Sequence, residues 1–207
     1  MIRFVNAFVK LTGWPVQAPI FRMKIRCKDK AVQSRRIKGP AIIVSNHTAV
    51  YDYAAMLFVF FWRTLRYQMA EVLFEKQPLG TFLKLMGGIY VDRDSTNLGF
   101  IADSERILRK GGVVGIFPEG RLPLDDEIPP IEFKPGAAYL ALATGVKLIP
   151  VYTNGEYFSR RRAQIMIGTP IDPAEFDRKD RTEKENIEAL TAAMRDTIIE
   201  LRNMLDE

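Results

Sequence analysis

The chain contains very little cysteine and histidine: one of each, Cys27 and His47, in 207 residues. A single cysteine cannot form an internal disulfide or supply a cysteine-based zinc site, and this usage suits a reducing compartment. A single histidine likewise excludes the histidine-rich zinc sites of the common zinc hydrolases. We therefore expect neither a metal site nor a structural disulfide.

Long apolar runs are also missing. The most apolar stretch, YAAMLFVFFW at residues 53–62, has ten residues, whereas a membrane-spanning helix needs about 18 or more. This stretch predicts a buried core helix. Residues 1–11 lack the apolar centre and the small-residue cleavage site of a signal peptide, so we expect no signal peptide either.

Basic residues are concentrated at one end of the chain. Residues 1–38 hold ten Lys or Arg residues and one acidic residue, whereas the remaining chain holds 20 basic and 24 acidic residues. A basic segment joined to a mildly acidic body indicates an anionic partner, either nucleic acid or an anionic membrane surface. The segment carries no zinc-finger, helix-turn-helix or RNA-binding signature, which argues against nucleic acid.

The first residues predict a short amphipathic helix. Phe4, Phe8 and Leu11 recur at helical spacing, and Pro15 and Pro19 are expected to stop the helix from continuing. Such helices can lie in a membrane surface with their apolar side chains in lipid. The alternative is that these three apolar side chains pack on the core.

The stretch FRMKIRCK at residues 21–28 alternates apolar and basic side chains, which predicts a strand with one solvent-exposed basic face. The residues of that basic face are Arg22, Lys24, Arg26 and Lys28.

Strand and helix patterns alternate along the rest of the chain. Short apolar runs bounded by Gly, Pro or polar residues predict buried strands at residues 41–45, 88–92, 113–117, 148–152 and 164–168. Helical patterns cover residues 53–66, 79–85, 98–110, 137–144 and a last stretch that opens with a capping box at Thr182 and Glu185. This alternation around one core predicts a single α/β domain with a central sheet flanked by helices.

His47 follows the predicted strand at residues 41–45, and Asp52 lies five residues after it. The carboxyl ends of strands in open α/β sheets are where ligands bind. From this stretch alone His47 could be a catalytic base oriented by Asp52, or a structural histidine. Ser45 is not its nucleophile, because a serine two residues before the histidine belongs to the strand.

Other predicted strands end in candidate binding residues. GGIYVDRD places Arg93 just past one strand, and FPEGR places Glu119, Gly120 and Arg121 just past another. Arg93 could form only a surface ion pair, and Pro-Glu-Gly could be only a turn. A histidine, two arginines and a carboxylate at the ends of strands nevertheless favour one shared site.

These stretches resemble the motifs of the lysophosphatidic acid acyltransferases of glycerophospholipid synthesis. Asn46-His47 with Asp52 matches the family's NHxxxxD motif. Residues 88–93, 117–120 and 146–151 match its second, third and fourth blocks, and FKPG at residues 133–136 resembles the stretch after the third. The matches come in family order and cover about residues 40–152.

The resemblance implies a mixed central sheet and transfer of a fatty acyl group from coenzyme A or acyl carrier protein to the free hydroxyl of lysophosphatidic acid. The product would be phosphatidic acid, and no cofactor is implied beyond the acyl donor. His47 would act as the general base, and Asp52 would orient its ring. The implied substrate-binding residues are Asn46, Arg93, Glu119, Gly120 and Arg121.

The resemblance also implies a role for each binding residue. Arg93, with help from Arg121, would hold the substrate phosphate through guanidinium hydrogen bonds. Glu119 would bind the glycerol hydroxyl or orient an arginine, and Gly120 would allow close backbone approach. Arg121 follows Gly120 directly, whereas the family usually has a threonine before the arginine, so Arg93 is the firmer phosphate ligand.

The chain is thus predicted to consist of a basic membrane-association segment at residues 1–38 and an acyltransferase domain at residues 39–207. We expect a bacterial enzyme that sits on the cytoplasmic face of the cell membrane as a peripheral or monotopic protein. Two alternatives remain open. One is acylation of another lysophospholipid or of glycerol 3-phosphate, and the other is a non-catalytic protein that binds anionic lipid.

Overall fold

The structure, a computed structural model, describes residues 1–92 and 99–206. Its centre is a sheet of seven strands. In chain order they are β1 (Lys24–Cys27), β2 (Ala41–Ser45), β3 (Leu65–Ala70), β4 (Ile89–Val91), β5 (Val113–Ile116), β6 (Leu148–Thr153) and β7 (Gln164–Ile167). Across the sheet the order is β1-β7-β6-β2-β5-β3-β4.

The direction of the strands decides which segments share an edge of the sheet. The five strands from β6 to β4 in the sheet order are parallel, whereas β7 is antiparallel to β6 and β1 is parallel to β7. The edge where β2, β5 and β6 end is therefore also the edge where β7 and β1 begin. The mixed central sheet predicted from the resemblance is confirmed.

Helices cover both faces of the sheet. The α-helices are α1 (Ile2–Phe21), α2 (Asp52–Val59), α3 (Glu71–Glu75), α4 (Leu79–Met86), α5 (Gly99–Arg109), α6 (Gly136–Thr144) and α7 (Glu183–Asp206). Side chains from α1 to α4 pack in one hydrophobic cluster with the sheet, and side chains from α5, α6 and α7 pack in a second cluster on the opposite face. The capping box before α7 is confirmed, because Thr182 and Glu185 exchange hydrogen bonds.

The predicted helix at residues 53–66 was wrong at its end. Helix α2 stops at Val59, and residues 65–70 form β3, with buried and half-buried side chains in strict alternation. The continuous apolar run at residues 53–62 hides the change from helix to strand, because a fully apolar run has no period of its own.

The predicted stop of the first helix at Pro15 was also wrong, since α1 continues through both prolines to Phe21. A proline inside a helix costs about 3 kcal/mol. Tertiary contacts can outweigh this cost, and α1 packs against α2 and α4. Phe21 and Arg22, predicted to start the first strand, instead end this helix, and β1 begins at Lys24.

The polarity of α1 is inverted relative to that of an ordinary surface helix. Asn6, Lys10 and Gln17 are buried. Asn6 donates a hydrogen bond to the carbonyl oxygen of Met86 at 2.8 Å, and the Lys10 ammonium donates to the carbonyl oxygens of residues 60, 61 and 63. The large apolar side chains that α1 leaves exposed are Phe4, Phe8, Leu11, Trp14, Val16 and Ile20.

Within residues 1–92 and 99–206, none of the helices combines the length and the hydropathy that a membrane span requires. Strand β1 lies inside the predicted segment of residues 1–38 and pairs with β7, so part of that segment is built into the central sheet.

Candidate active site

The C-terminal end of β2 places His47 between two neighbouring strands. Directly before it, the buried Asn46 side chain donates to the carbonyl oxygen of Thr153 at 2.8 Å and accepts from the Thr153 N–H at 2.9 Å. This pair of bonds ties the end of β2 to the end of β6. Asn46 was predicted to contact substrate, but its amide is used by the backbone, and it is fully buried. The structure therefore assigns Asn46 a positioning role.

The Asp52 carboxylate lies in the first turn of α2 and is surrounded by donors. Its Oδ2 atom is 2.8 Å from His47 Nδ1 and accepts from the N–H groups of Thr48 and Ala49 at 2.7 and 2.9 Å. Its Oδ1 atom accepts from the Thr48 hydroxyl at 3.1 Å and from the Tyr157 hydroxyl at 2.6 Å. Five donors and the N-terminal end of a helix thus hold one buried carboxylate in place.

The imidazole of His47 is oriented on one side and open on the other. With Nδ1 donating to Asp52, the Nε2 atom of the neutral ring is the acceptor. Nε2 has no hydrogen bond to a residue that the structure describes, and the side chain is 22% exposed. The ring stacks on Phe117 with centroids 4.3 Å apart and planes 10° apart. A proton could therefore be accepted at Nε2 while the ring stays fixed.

Glu119 is a second buried carboxylate beside His47. It follows β5, is 2% exposed, and accepts the backbone N–H of His47 at Oε1 over 3.1 Å. Burial raises its pKa to about 7, although the N–H groups of His47 and Ile131 act in the opposite direction. Its Oε2 atom has no hydrogen-bond partner in the described part of the chain. Glu119 thus has a free acceptor at the site, and it supports the His47 backbone.

Gly120 adopts a left-handed conformation with φ of +70°. A Cβ atom at this position would lie 3.0 Å from Cε and 3.2 Å from Nζ of Lys134. The left-handed turn therefore accounts for a glycine at this position, whereas the close backbone approach implied by the resemblance stays a prediction. Lys134 belongs to the FKPG stretch and was not predicted as a site residue.

The two predicted phosphate ligands have different outcomes. Both terminal nitrogens of Arg121 bond to the Glu127 carboxylate at 2.6 Å, and the side chain is exposed. This pairing lowers the pKa of Glu127 to about 2. The Arg121 guanidinium is thus already paired with the Glu127 carboxylate. The other predicted phosphate ligand, Arg93, lies outside the described residues.

Tyr157 is a site residue that the sequence interpretation missed. It lies in the segment between β6 and β7, its hydroxyl donates to Asp52, and it is also 3.0 Å from the Thr153 hydroxyl. Burial, together with the charge of Asp52, raises the pKa of Tyr157 well above its ordinary range, so the hydroxyl remains a donor. The sequence around Tyr157 carries no recognisable motif. Tyr157 reaches Asp52 because it follows the end of β6, which runs parallel to β2, and the conformation of this loop was not predicted.

The chain is similar to known proteins in sequence and in fold. The profile of the family described as Acyltransferase matches residues 23–154. The 1-acyl-sn-glycerol-3-phosphate acyltransferase of Bacillus subtilis (strain 168) is 30% identical over 148 residues, covering 69% of this chain and 71% of that protein. The human 1-acyl-sn-glycerol-3-phosphate acyltransferase beta is also 30% identical, over 69% of this chain and 51% of its own length.

The fold is likewise similar to a solved structure. The crystal structure of the 1-acyl-sn-glycerophosphate acyltransferase PlsC from Thermotoga maritima superposes with a TM-score of 0.67 at 20% identity, covering 97% of this chain and 81% of that one. The family match extends over most of the sheet and includes His47, Asp52 and Glu119. The chain therefore belongs to the Acyltransferase family.

Proposed function

We propose that this protein transfers a fatty acyl group from an acyl thioester, carried by coenzyme A or acyl carrier protein, to the free hydroxyl of lysophosphatidic acid. The product is phosphatidic acid. The observation that carries the proposal is the His47–Asp52 pair, in which Nδ1 is bound at 2.8 Å and Nε2 is open. The names of the bacterial and human relatives, both 1-acyl-sn-glycerol-3-phosphate acyltransferases, support lysophosphatidic acid as the acceptor.

In the proposed reaction, His47 Nε2 accepts the proton of the acceptor hydroxyl as its oxygen attacks the thioester carbonyl carbon. Asp52 stabilises the imidazolium that forms and keeps the ring in the correct tautomer. The C–S bond then breaks, and the imidazolium returns the proton to the thiolate. A thioester is already activated for acyl transfer, so the reaction uses no covalent acyl-enzyme and no cofactor.

In this proposal the acceptor binds next to Glu119. We assign its phosphate to Arg93, on the family resemblance, and to Lys134, whose ammonium lies beside the Gly120 turn. Lys134 is exposed and forms no ion pair within the described residues. The free Oε2 atom of Glu119 suits a glycerol hydroxyl, which can donate a hydrogen bond to it.

The enzyme works at the cytoplasmic surface of a membrane, as a peripheral or monotopic protein. The inverted polarity of α1 supports this part of the proposal, because its exposed phenylalanines can leave water by inserting into lipid. Burying one such side chain in lipid stabilises binding by about 1.5–3 kcal/mol. Apolar side chains on a basic segment are the composition of an interfacial anchor.

An assay of purified protein with a panel of lysophospholipids and radiolabelled acyl thioesters tests the proposal. Lysophosphatidic acid should give labelled phosphatidic acid with at least one of the two carriers. His47→Ala should lower turnover by roughly 10²- to 10⁴-fold without a comparable loss of thermal stability. Product from another lysophospholipid alone would replace the acceptor, whereas normal turnover in a folded His47→Ala protein would overturn the mechanism.

A further inference from the structure

The loop of residues 154–163 connects β6 to β7 and is called the β6–β7 loop below. Because β7 is antiparallel to β6, this loop lies at the edge of the sheet where β2 ends and His47 stands. Strand β1 begins at the same edge, which brings the C-terminal end of α1 there as well. Three segments distant in sequence thus meet beside the candidate active site.

The inner side of the β6–β7 loop is fixed to the site. Tyr157 is buried and bonds to Asp52 at 2.6 Å. Gly155 has φ of +72°, and a Cβ atom there would lie 2.5 Å from the Thr48 hydroxyl, so the loop backbone packs directly on the His47–Asp52 segment. The loop is therefore held at a defined place relative to the catalytic pair.

The outer side of the loop is aromatic and basic. Phe158 is 62% exposed and packs edge-on against Tyr51, itself 45% exposed, with centroids 4.7 Å apart. Phe158 also contacts Phe21 at the end of α1, at 5.6 Å. Three consecutive guanidinium side chains follow on the exposed surface, at Arg160, Arg161 and Arg162.

None of these three arginines forms an ion pair with a residue in the ranges 1–92 and 99–206. Exposed guanidinium groups beside exposed aromatic rings suit a lipid surface, where rings lie at the headgroup level and cations bind phosphates. The buried Phe21 at the end of α1 packs against Phe158, so the C-terminal end of α1 lies beside this patch.

We propose that the outer side of the β6–β7 loop is a second membrane-contact surface, which binds the anionic headgroups of a bilayer beside the active site. It rests on the proposed function, in that the acceptor is a lipid held in that bilayer. The surface is separate in sequence from α1 and carries charge where α1 carries apolar side chains. Because the loop is bonded to Asp52 through Tyr157, its contact with the bilayer fixes how deep His47 and Asp52 lie relative to the lipid headgroups.

A bilayer fits this surface better than an acidic carrier protein does. Charge alone would suit both partners, but Phe158 contacts Phe21 at the C-terminal end of α1, directly after the exposed Ile20 in sequence. A flat lipid surface can contact both regions at once. An acidic protein would be recognised by the arginines and would leave the apolar face of α1 in water.

The test compares two triple variants with the same change of charge. The loop variant is Arg160→Gln/Arg161→Gln/Arg162→Gln. The control variant is Lys179→Gln/Arg181→Gln/Lys184→Gln. It replaces exposed cations just before and at the start of α7, which packs on the face of the sheet opposite to α1. Binding is measured by sedimentation with vesicles of phosphatidylglycerol and phosphatidylcholine, and with phosphatidylcholine alone. The loop variant should bind the anionic vesicles roughly 100-fold less, because the three cations together contribute about 3 kcal/mol. The control should change binding by less than about threefold.

An activity measurement separates this proposal from the proposed function. The loop variant and Phe158→Ser should lose turnover on lysophosphatidic acid presented in anionic vesicles, yet retain it on a short-chain, water-soluble acceptor with an acyl-coenzyme A donor. Wild-type protein without activity on either acceptor would sink the proposed function and leave the vesicle-binding result standing. Equal vesicle binding by the two triple variants overturns the membrane surface. A loss confined to acyl carrier protein donors would assign the arginines to that protein instead.

Discussion

Two buried carboxylates flank the single histidine, and their surroundings differ. Asp52 accepts hydrogen bonds from five donors, which use both of its oxygens. Glu119 is equally buried, yet its Oε2 atom has no partner among the described residues, and its pKa is raised to about 7. The number of donors around each carboxylate, and not burial alone, separates the two environments.

The difference assigns different tasks to the two groups. A carboxylate saturated with protein donors has no capacity left for substrate, so the role proposed for Asp52 is limited to holding His47 and stabilising its charged form. A carboxylate with an unused oxygen can accept a hydrogen bond from a ligand, as proposed for Glu119. Substitutions of the two carboxylates and of neighbouring residues test these roles.

The largest effect is expected from Asp52→Asn. The amide has no charge to stabilise the imidazolium, and its NH₂ group cannot accept from the donors that surround it, so kcat should fall by roughly 10³- to 10⁴-fold. Turnover at saturating acceptor measures the effect, and a thermal unfolding scan shows whether the fold is retained. Asp125→Asn, an exposed carboxyl, is the matched control. A folded Asp52→Asn protein with turnover within tenfold of the wild type would refute the assigned role.

The second effect concerns stability and pH at Glu119. Its folded-state pKa of about 7 lies above the ordinary value of 4.5, so the folded protein binds the proton more tightly than the unfolded chain. The stabilisation is fully present below pH 4.5 and is lost as pH rises through 7. Glu119→Gln does not titrate. Its free energy of unfolding relative to the wild type should therefore rise by about 2–3 kcal/mol between pH 4.5 and pH 8.

Urea unfolding of both proteins at the two pH values measures this difference. Glu132→Gln, an exposed carboxyl on a nearby segment, serves as the control and should show no such rise. If the difference between Glu119→Gln and the wild type does not change with pH, Glu119 has found a donor that compensates its burial.

A smaller effect is expected from Tyr157→Phe, which removes one of the five donors to Asp52. A hydrogen bond to a charged group contributes about 1.5–3 kcal/mol, so kcat should fall by at least about tenfold with little change in the acceptor KM. Tyr67→Phe is a matched control, since its buried hydroxyl has no hydrogen-bond partner in the described structure. Equal effects of the two substitutions on kcat would show that the Tyr157 hydroxyl does not act through Asp52.

The smallest effect is expected from Arg121→Ala, close to Glu119 in sequence. Its guanidinium is bound to Glu127 through two bonds of 2.6 Å, so the acceptor KM should change by less than about threefold. Steady-state kinetics with lysophosphatidic acid measures the change, and Lys134→Ala should raise the same KM more. A tenfold increase for Arg121→Ala would mean that the pair with Glu127 opens when substrate binds.

The sequence predicted the site best where polar residues directly follow predicted strands. His47 and Asp52 were paired correctly, because five residues span the turn from β2 into α2. Glu119 was placed at the same edge, since β2 and β5 are parallel neighbours. The contact of Tyr157 with Asp52 was missed. Tyr157 follows the end of β6, which is parallel to β2, but it lies in a loop whose conformation no residue pattern predicts.

The first helix shows a second limit of sequence interpretation. Two prolines predicted that the helix would end near residue 15. It nevertheless continues to Phe21 and is held by tertiary contacts, among them the hydrogen bond from Asn6 to Met86. The exposed apolar face of Phe4, Phe8 and Leu11 was predicted from spacing and is present. Spacing alone could not show that polar side chains occupy the buried face. Whether this face binds lipid stays a prediction.

The inverted polarity of α1 also affects the behaviour of the protein in a test tube. Its six exposed apolar side chains should adsorb to any apolar interface, whether air, plastic or a detergent micelle. A chain with a mean hydropathy of only −0.06 should then enter the detergent-rich phase when a nonionic detergent solution is warmed past its cloud point. In dilute buffer the same helix should carry the protein onto the walls of its container, and added micelles should return it to solution.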